Sequence, residues 1–229
     1  MRPDRERLRA EIARVYAHER ERLGSEVTDE MAMPSYVAGN ALSRRVFWGK
    51  LDHVRAAAAL GPGLRVLDFG CGSGILLPAL CGAEREVHAT DLELGPARAL
   101  ARALALPGLR FHASDAWAQA LPEASLDVVI AANVLEHVEA RPELLARLAR
   151  KLAPGGRLVV SGPTENALYR LGRRIVGFSG HYHVATVHDV LADVERTGLR
   201  RVARRRFPLP GPGCLYVIAA YQASAPHGA

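Results

Sequence analysis

The chain predicts an α/β fold: a seven-stranded, mostly parallel sheet that ends in a C-terminal antiparallel hairpin and follows an N-terminal helical extension. Three observations predict it. Between residues 64 and 161, short runs rich in Val, Ile and Leu alternate with helix-length segments, a pattern that argues for parallel strands joined by right-handed crossovers. The last third instead carries two apolar runs separated only by Pro208–Gly213, and strands joined by so short a turn are antiparallel neighbours. Before residue 61 the apolar periodicity is helical.

Residues 1–24 read as a charged helix with Leu8, Ile12, Val15 and Tyr16 along one stripe, ended by Gly24-Ser25. A polar stretch runs to Pro34. A second helix over about 41–60 carries Leu42, Val46, Phe47, Leu51 and Val54, and Gly61-Pro62-Gly63 closes it. Residues 1–60 thus form the extension and 61–229 the main domain. Strands are expected at Leu64–Phe69, Glu86–Asp91, Leu109–Ala113, Leu126–Ala132 and Arg157–Ser161, with helices at about 73–82, 95–106 and 140–152 between them. A helix over about 186–198 leads into strands Leu199–Phe207 and Leu215–Tyr221.

Composition removes several classes. With 49 % hydrophobic and 24 % charged residues over 229 positions, the chain is neither a disordered tail nor a fibre. No apolar run approaches the roughly 18 residues that span a bilayer, and the Arg/Glu-rich first 22 residues lack the apolar core of a secretory signal. Cys71, Cys81 and Cys214 are widely spaced, which argues against a disulfide framework or zinc ribbon and for a reducing cytoplasm. The net charge of +6 is local: residues 170–206 hold nine arginines against Asp189, Asp193 and Glu195, and the rest of the chain balances. Such a segment suits an anionic substrate, a membrane surface or RNA.

The sharpest motif is Val66-Leu67-Asp68-Phe69-Gly70-Cys71-Gly72-Ser73-Gly74, between the first strand and the next helix. That is where a nucleotide-type ligand meets a doubly wound sheet. A dinucleotide fingerprint would read Gly-x-Gly-x-x-Gly, whereas this loop reads Gly-x-Gly-x-Gly with Asp68 before it. An acid there is poorly placed beside a phosphate but suits an ammonium. Asp91 ends the second strand, where an acid accepts both ribose hydroxyls, and Asp115 lies after the third, where a carboxylate takes the amino group of a purine. Ammonium, ribose and adenine are the handles of S-adenosylmethionine.

With Val66–Gly74, Asp91, Ser114-Asp115-Ala116, the run from Asp127 to Val138 and Leu152-Ala153-Pro154-Gly155-Gly156-Arg157-Leu158 in order, the chain resembles the class I S-adenosylmethionine-dependent methyltransferases. The resemblance covers about 64–160 closely and implies a Rossmann-like fold with S-adenosyl-L-methionine over the C-terminal ends of the first, second and fourth strands. It implies that the loop Gly70, Cys71 and Gly72 contacts the methionine part, with Asp68 holding the loop or the ammonium. Asp91 and Leu92 would lie at the ribose, Asp115 and Ala116 at the adenine, and Asn133 and Leu135 on the substrate side. By position alone, Tyr36, Asn40 and Arg44 could close over the methionine carboxylate.

The acceptor is read from the residues after the fourth strand. Asn133-Val134-Leu135-Glu136 is not the Pro-Pro-aromatic run of amino-group base methylation, and no cysteine comes after a proline as carbon-5 pyrimidine methylation needs. Nucleic acid therefore loses support. Asn133-x-x-Glu136-His137 is similar to the small-molecule branch that includes ubiquinone-biosynthesis O-methyltransferases. Some of those hold a cation with Glu-x-x-Glu-His; here Asn133 replaces the first glutamate, so no metal is expected. The reading is methyl transfer to an oxygen, in preference to a nitrogen or carbon, of a small-molecule or lipid-like acceptor, with the arginine-rich segment favouring an anionic one or contact with an anionic membrane. An RNA or protein methyltransferase docking through 170–206, and a catalytically silent binding subunit, stay open as alternatives. His137 is the first candidate general base, although Glu136 and His137 can equally cap or pack the helix after the fourth strand. His181 and His183, flanking Tyr182, are further candidates in the segment after the fifth strand. Residues 166–178 place Leu168, Leu171, Ile175 and Phe178 near one helical face with three arginines beside them, a pattern that fits an anionic membrane surface or a lid.

Overall fold

Seven strands form one sheet in the computed structural model, which describes residues 5–24, 28, 31, 33–37, 41–175 and 184–224. They are β1 (Arg65–Phe69), β2 (Glu86–Asp91), β3 (Leu109–Ala113), β4 (Leu126–Ala132), β5 (Leu152–Pro163), β6 (Arg200–Pro208) and β7 (Cys214–Gln222), in the order β3-β2-β1-β4-β5-β7-β6. β1 pairs in parallel with β2 and β4, and β7 is antiparallel to both β5 and β6. Val66, Leu67, Val87, Ala89, Val129 and Ile130 are all fully buried, as expected of strands covered on both faces. The strand order reverses between β1 and β4, and a doubly wound sheet opens its ligand crevice at that switch point.

Around the sheet run α1 (Arg5–Leu23), α2 (Met33–Val37), α3 (Ala41–Ala58), α4 (Leu77–Leu80), α5 (Gly95–Ala103), α6 (Ala116–Ala120), α7 (Arg141–Lys151), α8 (Ala167–Ile175) and α9 (Val187–Arg196). Two elements differ from expectation for local reasons. The helix expected at 73–82 is the single turn α4: Pro78 sits in its first turn and lacks an N–H, and Gly82 at φ +89° lies just past its end. The fifth strand starts at Leu152 rather than Arg157, because its Pro-Gly-Gly stretch continues the strand through a register shift against Leu126 and Val128.

The N-terminal helices are seated on the main domain. Leu8, Ile12 and Val15 of α1 pack with Met33, Tyr36 and Leu100. Burying each such aliphatic side chain contributes about 1.5–3 kcal/mol relative to exposure. Val54 and Ala58 of α3 join the core beside β1 and β7, and Arg157 Nη1 donates to the Ala57 carbonyl at 3.0 Å, capping the end of α3. An Arg5–Asp52 ion pair ties α1 to α3.

The arginine excess has a physical place in this topology. β6 is one of the sheet's two edge strands and pairs only with β7, and Arg200, Arg201, Arg204, Arg205 and Arg206 are exposed along it. An edge strand offers unpaired backbone groups to any other strand, and a dense row of charge blocks that pairing. Five of the nine arginines in 170–206 are therefore accounted for by the edge itself.

Candidate active site

The crevice at the C-terminal ends of β1 and β4 is built by two turns in contact. Gly70 sits at φ +72°, and a Cβ there would lie 2.4 Å from Val134 Cγ2. Only glycine allows the loop after β1 and the turn after β4 to approach so closely. The N–H groups of Gly70 and Cys71 both donate to the Thr90 carbonyl, at 2.9 and 3.0 Å, fastening the loop to the end of β2. Cys71 is buried, and burial pushes its thiol well up, so it serves packing rather than nucleophilic chemistry. Gly72, at φ +53°, has nothing within 4 Å of where a Cβ would stand. Its backbone is open to a ligand.

The three acids lie in a row across the sheet. Asp68 in β1 is 2 % exposed and its Oδ2 has no hydrogen-bond partner. Burial, with the Asp91 charge adding to it, pushes its carboxyl up to about 7. A buried carboxyl oxygen without a partner costs on the order of 1–3 kcal/mol, and an ammonium group would satisfy it. Asp91 at the end of β2 accepts from the N–H of Gly72 at 2.7 Å and of Glu93 at 3.3 Å. Leu92 beside it is 92 % exposed, an apolar surface next to the ribose-type acid. Asp115 and Ala116, both exposed, open α6 at the end of β3. Thr90 Oγ1 donates to the Ser114 carbonyl at 3.0 Å and so fixes that corner to β2. This donor set fits S-adenosylmethionine: an unpartnered acid for the ammonium, an open glycine for the methionine backbone, and acids spaced along β2 and β3 for ribose and adenine.

The turn after β4 forms the other wall. Asn133 adopts φ +57°, donates its N–H to the Ser161 carbonyl at 2.8 Å and accepts from Ser161 Oγ at 3.1 Å. Its Nδ2 donates to Glu136 Oε1 at 3.4 Å. Leu135 departs from the expectation that it lines the crevice: it is 1 % exposed, within the core cluster that includes Leu145, Leu148 and Val187. The short 3-10 turn Leu135–His137 turns its apolar side chain inward. His137 is half-buried on the same turn, its N–H donating to the Val134 carbonyl at 3.1 Å. His181, His183 and Asn40 lie outside the described residues. Tyr36 is buried edge-on between Phe47 and Trp48, with ring centroids 5.4 and 5.3 Å away. Arg44 lines a separate groove of about 500 Å³ with Arg5, Arg9, Arg45, Trp48 and Phe207. Among the described residues, no group of three His, Cys, Asp or Glu side chains is placed to hold a metal, and no helix is long and apolar enough to cross a membrane.

Two buried charged residues stand beside this wall, Glu136, which the sequence marks only as part of the Asn133-x-x-Glu136-His137 run, and Lys50, which no motif marks. Glu136 is 1 % exposed, its Oε2 has no partner, and burial pushes its carboxyl up to about 7. Lys50 of α3 is 5 % exposed, its Nζ 4.7 and 5.0 Å from the ring centroids of Tyr216 and Phe47. Burial brings its ammonium down to about 8, against the opposing pull of Glu136.

Comparison with known proteins agrees with this geometry. A family model described as a methyltransferase domain matches residues 40–203. Over 124 residues the chain is 36 % identical to a trans-aconitate 2-methyltransferase of Methylobacterium nodulans, covering 53 % of this chain and 48 % of the relative. Over 122 residues it is 37 % identical to a ubiquinone biosynthesis O-methyltransferase of Hahella chejuensis, covering 51 % and 50 %. The chain thus matches about half the length of these curated relatives. The fold is shared with the magnesium protoporphyrin IX methyltransferase of Synechocystis in complex with S-adenosylhomocysteine, at a TM-score of 0.64 and 24 % identity, covering 91 % of this chain and 99 % of that one. The glycine loop, the acids of β1, β2 and the end of β3, and the family match lead to one conclusion: the chain belongs to the class I S-adenosylmethionine-dependent methyltransferases.

Proposed function

We propose that the protein transfers the methyl group of S-adenosylmethionine to a hydroxyl oxygen of a small or lipid-like acceptor. The observation that carries this is the row Asp68, Asp91, Asp115, which spaces three carboxylates along the ends of β1, β2 and β3 with one oxygen of Asp68 unpartnered. When bound, S-adenosylmethionine supplies a methyl group on a sulfonium, a leaving group that needs no further activation. The protein's task is then to position two reactants and, for an oxygen acceptor, to receive a proton. Asp68 would face the ammonium and Asp91 the ribose hydroxyls. Leu92 would lie beside the ribose, and Asp115 and Ala116 would meet the adenine.

With ribose and adenine on the β2 and β3 side, the acceptor side is that of β4, β5 and β7. Oxygen is favoured as the acceptor atom by a buried carboxyl, Glu136, on that side. Exposed Leu168 and Leu171 flank Arg170 on α8, which supports a lipid-like acceptor and contact with an anionic membrane surface. Three free cysteines support a reducing cytoplasm.

Incubation with methyl-labelled S-adenosylmethionine and separate hydroxyl, amine and carbon-acid acceptors tests the reading. Label in a methyl ether is expected, and label only in a methylamine or carbon product would replace oxygen as the acceptor atom. Co-flotation with phosphatidylglycerol vesicles at low salt is expected. Its absence would remove the membrane contact.

A further inference from the structure

The acceptor side holds a buried polar cluster that the cofactor does not need. Glu136 lies just beyond Asn133, on the turn that touches the glycine loop through Val134. Lys50 reaches the same region from α3, over Tyr216 of β7 and Phe47. Tyr216 pairs in register with Pro163 at the end of β5 and meets the ring of Tyr169 from α8 at 5.7 Å. Five elements, the turn after β4, α3, β5, β7 and α8, thus converge at the C-terminal edge of the sheet.

Glu136 and Lys50 are of opposite charge, both buried and close enough to feel each other's charge, yet Glu136 Oε2 makes no hydrogen bond to the Lys50 ammonium. Such groups normally persist in a core only when paired and fully hydrogen-bonded. Here Glu136 Oε1 is held by Asn133 while Oε2 is left without a partner, and the Lys50 ammonium faces aromatic rings. A purely structural pair would close on itself. This arrangement instead offers one proton acceptor and one cation to a third group.

On the reading that the chain is an O-methyltransferase, we propose that Glu136 and Lys50 together deprotonate and hold the acceptor, an acidic hydroxyl on a flat ring, either phenolic or enolic. The O–H bond breaks, its proton moves to Glu136 Oε2, and the electron pair left on oxygen is held by the Lys50 ammonium. The rings of Tyr216, Phe47 and Tyr169 surround the cluster, an aromatic wall suited to a planar acceptor. Lysine suits this task better than arginine, since its ammonium is a compact point charge whose proton affinity burial can tune. The pair is in its working form, carboxylate with ammonium, between the values of about 7 for Glu136 and about 8 for Lys50. Among the described residues, the other titratable groups facing it are Tyr216, Tyr169, Tyr36 and Glu165. Burial holds Tyr216 and Tyr36 above the physiological range, leaving them neutral.

The test uses the protein saturated with S-adenosylhomocysteine and catechol as the probe, read by ultraviolet difference absorption at pH 7.5 rather than by turnover. Free catechol is neutral there, so a phenolate band on binding reports the proton's move. Wild type is expected to show the band, K50M to lose it and bind catechol at least tenfold more weakly, and K50R to recover part of both. E136Q is expected to lose the band. A band retained in E136Q with a proton released to buffer would remove Glu136 as the acceptor, and unchanged affinity in K50M would remove Lys50. Absence of catechol binding to the wild-type complex would overturn the hydroxyl class. Calorimetric binding of S-adenosylhomocysteine by every variant is the separate control: its failure in wild type counts against the methyltransferase reading itself, and its retention in the variants shows that they are folded.

Discussion

The backbone N–H of Gly72 donates to Oδ2 of Asp91 at 2.7 Å, so the acid that ends β2 also sets the shape of the loop after β1. In the proposed binding mode one carboxylate would serve two ligand contacts, directly at the ribose and indirectly through the glycine backbone. Hydrogen bonds to a charged group are worth about 1.5–3 kcal/mol. Asp91→Ala is expected to weaken S-adenosylhomocysteine binding by about 10- to 100-fold, measured by calorimetry. Asp91→Asn, which still accepts through one oxygen, should lose less.

Cofactor binding should depend on pH through Asp68. Its carboxyl is raised from 3.8 to about 7 in the folded protein, so between those values the folded state holds a proton that the unfolded state has released. The protein without ligand therefore loses stability as pH rises from about 4 to about 7, and this contribution is constant above that. A cationic ligand binds the ionised form, so affinity for S-adenosylmethionine should rise as pH increases through 7, by about tenfold per unit below it. Asp68→Asn should flatten the dependence.

Gly70→Ala joins a steric clash to an unfavourable backbone. The new methyl would meet Val134 at 2.4 Å while the residue holds φ +72°. A left-handed non-glycine residue alone costs on the order of 1–3 kcal/mol, and the clash adds to it. A lowered melting temperature and loss of S-adenosylhomocysteine binding are expected. Gly70→Ala/Val134→Ala should recover part of the stability, since the double change relieves the contact but not the backbone.

The buried pair Arg141–Asp193, 2.6 Å apart with side chains 12 % and 8 % exposed, joins α7 to α9. Arg196 also contacts Asp193. Removing one partner of a buried pair leaves an uncompensated charge, at a cost of about 3–5 kcal/mol. Asp193→Ala should therefore lower the midpoint of urea unfolding sharply. Replacing exposed Arg150, whose partner Glu123 is also exposed, should change it little.

Legibility in the sequence depends on the range of the interaction. Asp68, Gly70, Gly72 and Asp91 can be read because they belong to one strand, one turn and the next strand, where spacing dictates geometry. The parallel sheet and its closing hairpin are equally legible, from the alternation of helices and strands and from the short Pro/Gly turn. Leu135 is not, because a motif gives the position of a turn but not which of its side chains points inward. Lys50 is hidden because 86 positions separate it from Glu136 and its own helix reads as a charged, partly apolar surface. A signal is nonetheless present. The chain uses arginine for nearly all of its positive charge, and Lys50 and Lys151 are its only lysines. Both are buried. Lys151 explains itself, donating to the Leu121 carbonyl at 2.7 Å and pairing with Glu123 at 2.9 Å. Among the described residues Lys50 has no such anchor, and in the proposed reading it stands at the acceptor side.

A crystal structure with S-adenosylhomocysteine bound tests the central claim most directly. The ribose hydroxyls should lie within hydrogen-bond distance of Asp91, the ammonium should face Asp68, and the sulfur should point toward the turn that carries Asn133 and Glu136. A ligand bound elsewhere, or lying in the crevice with its sulfur turned toward β3, would contradict the account.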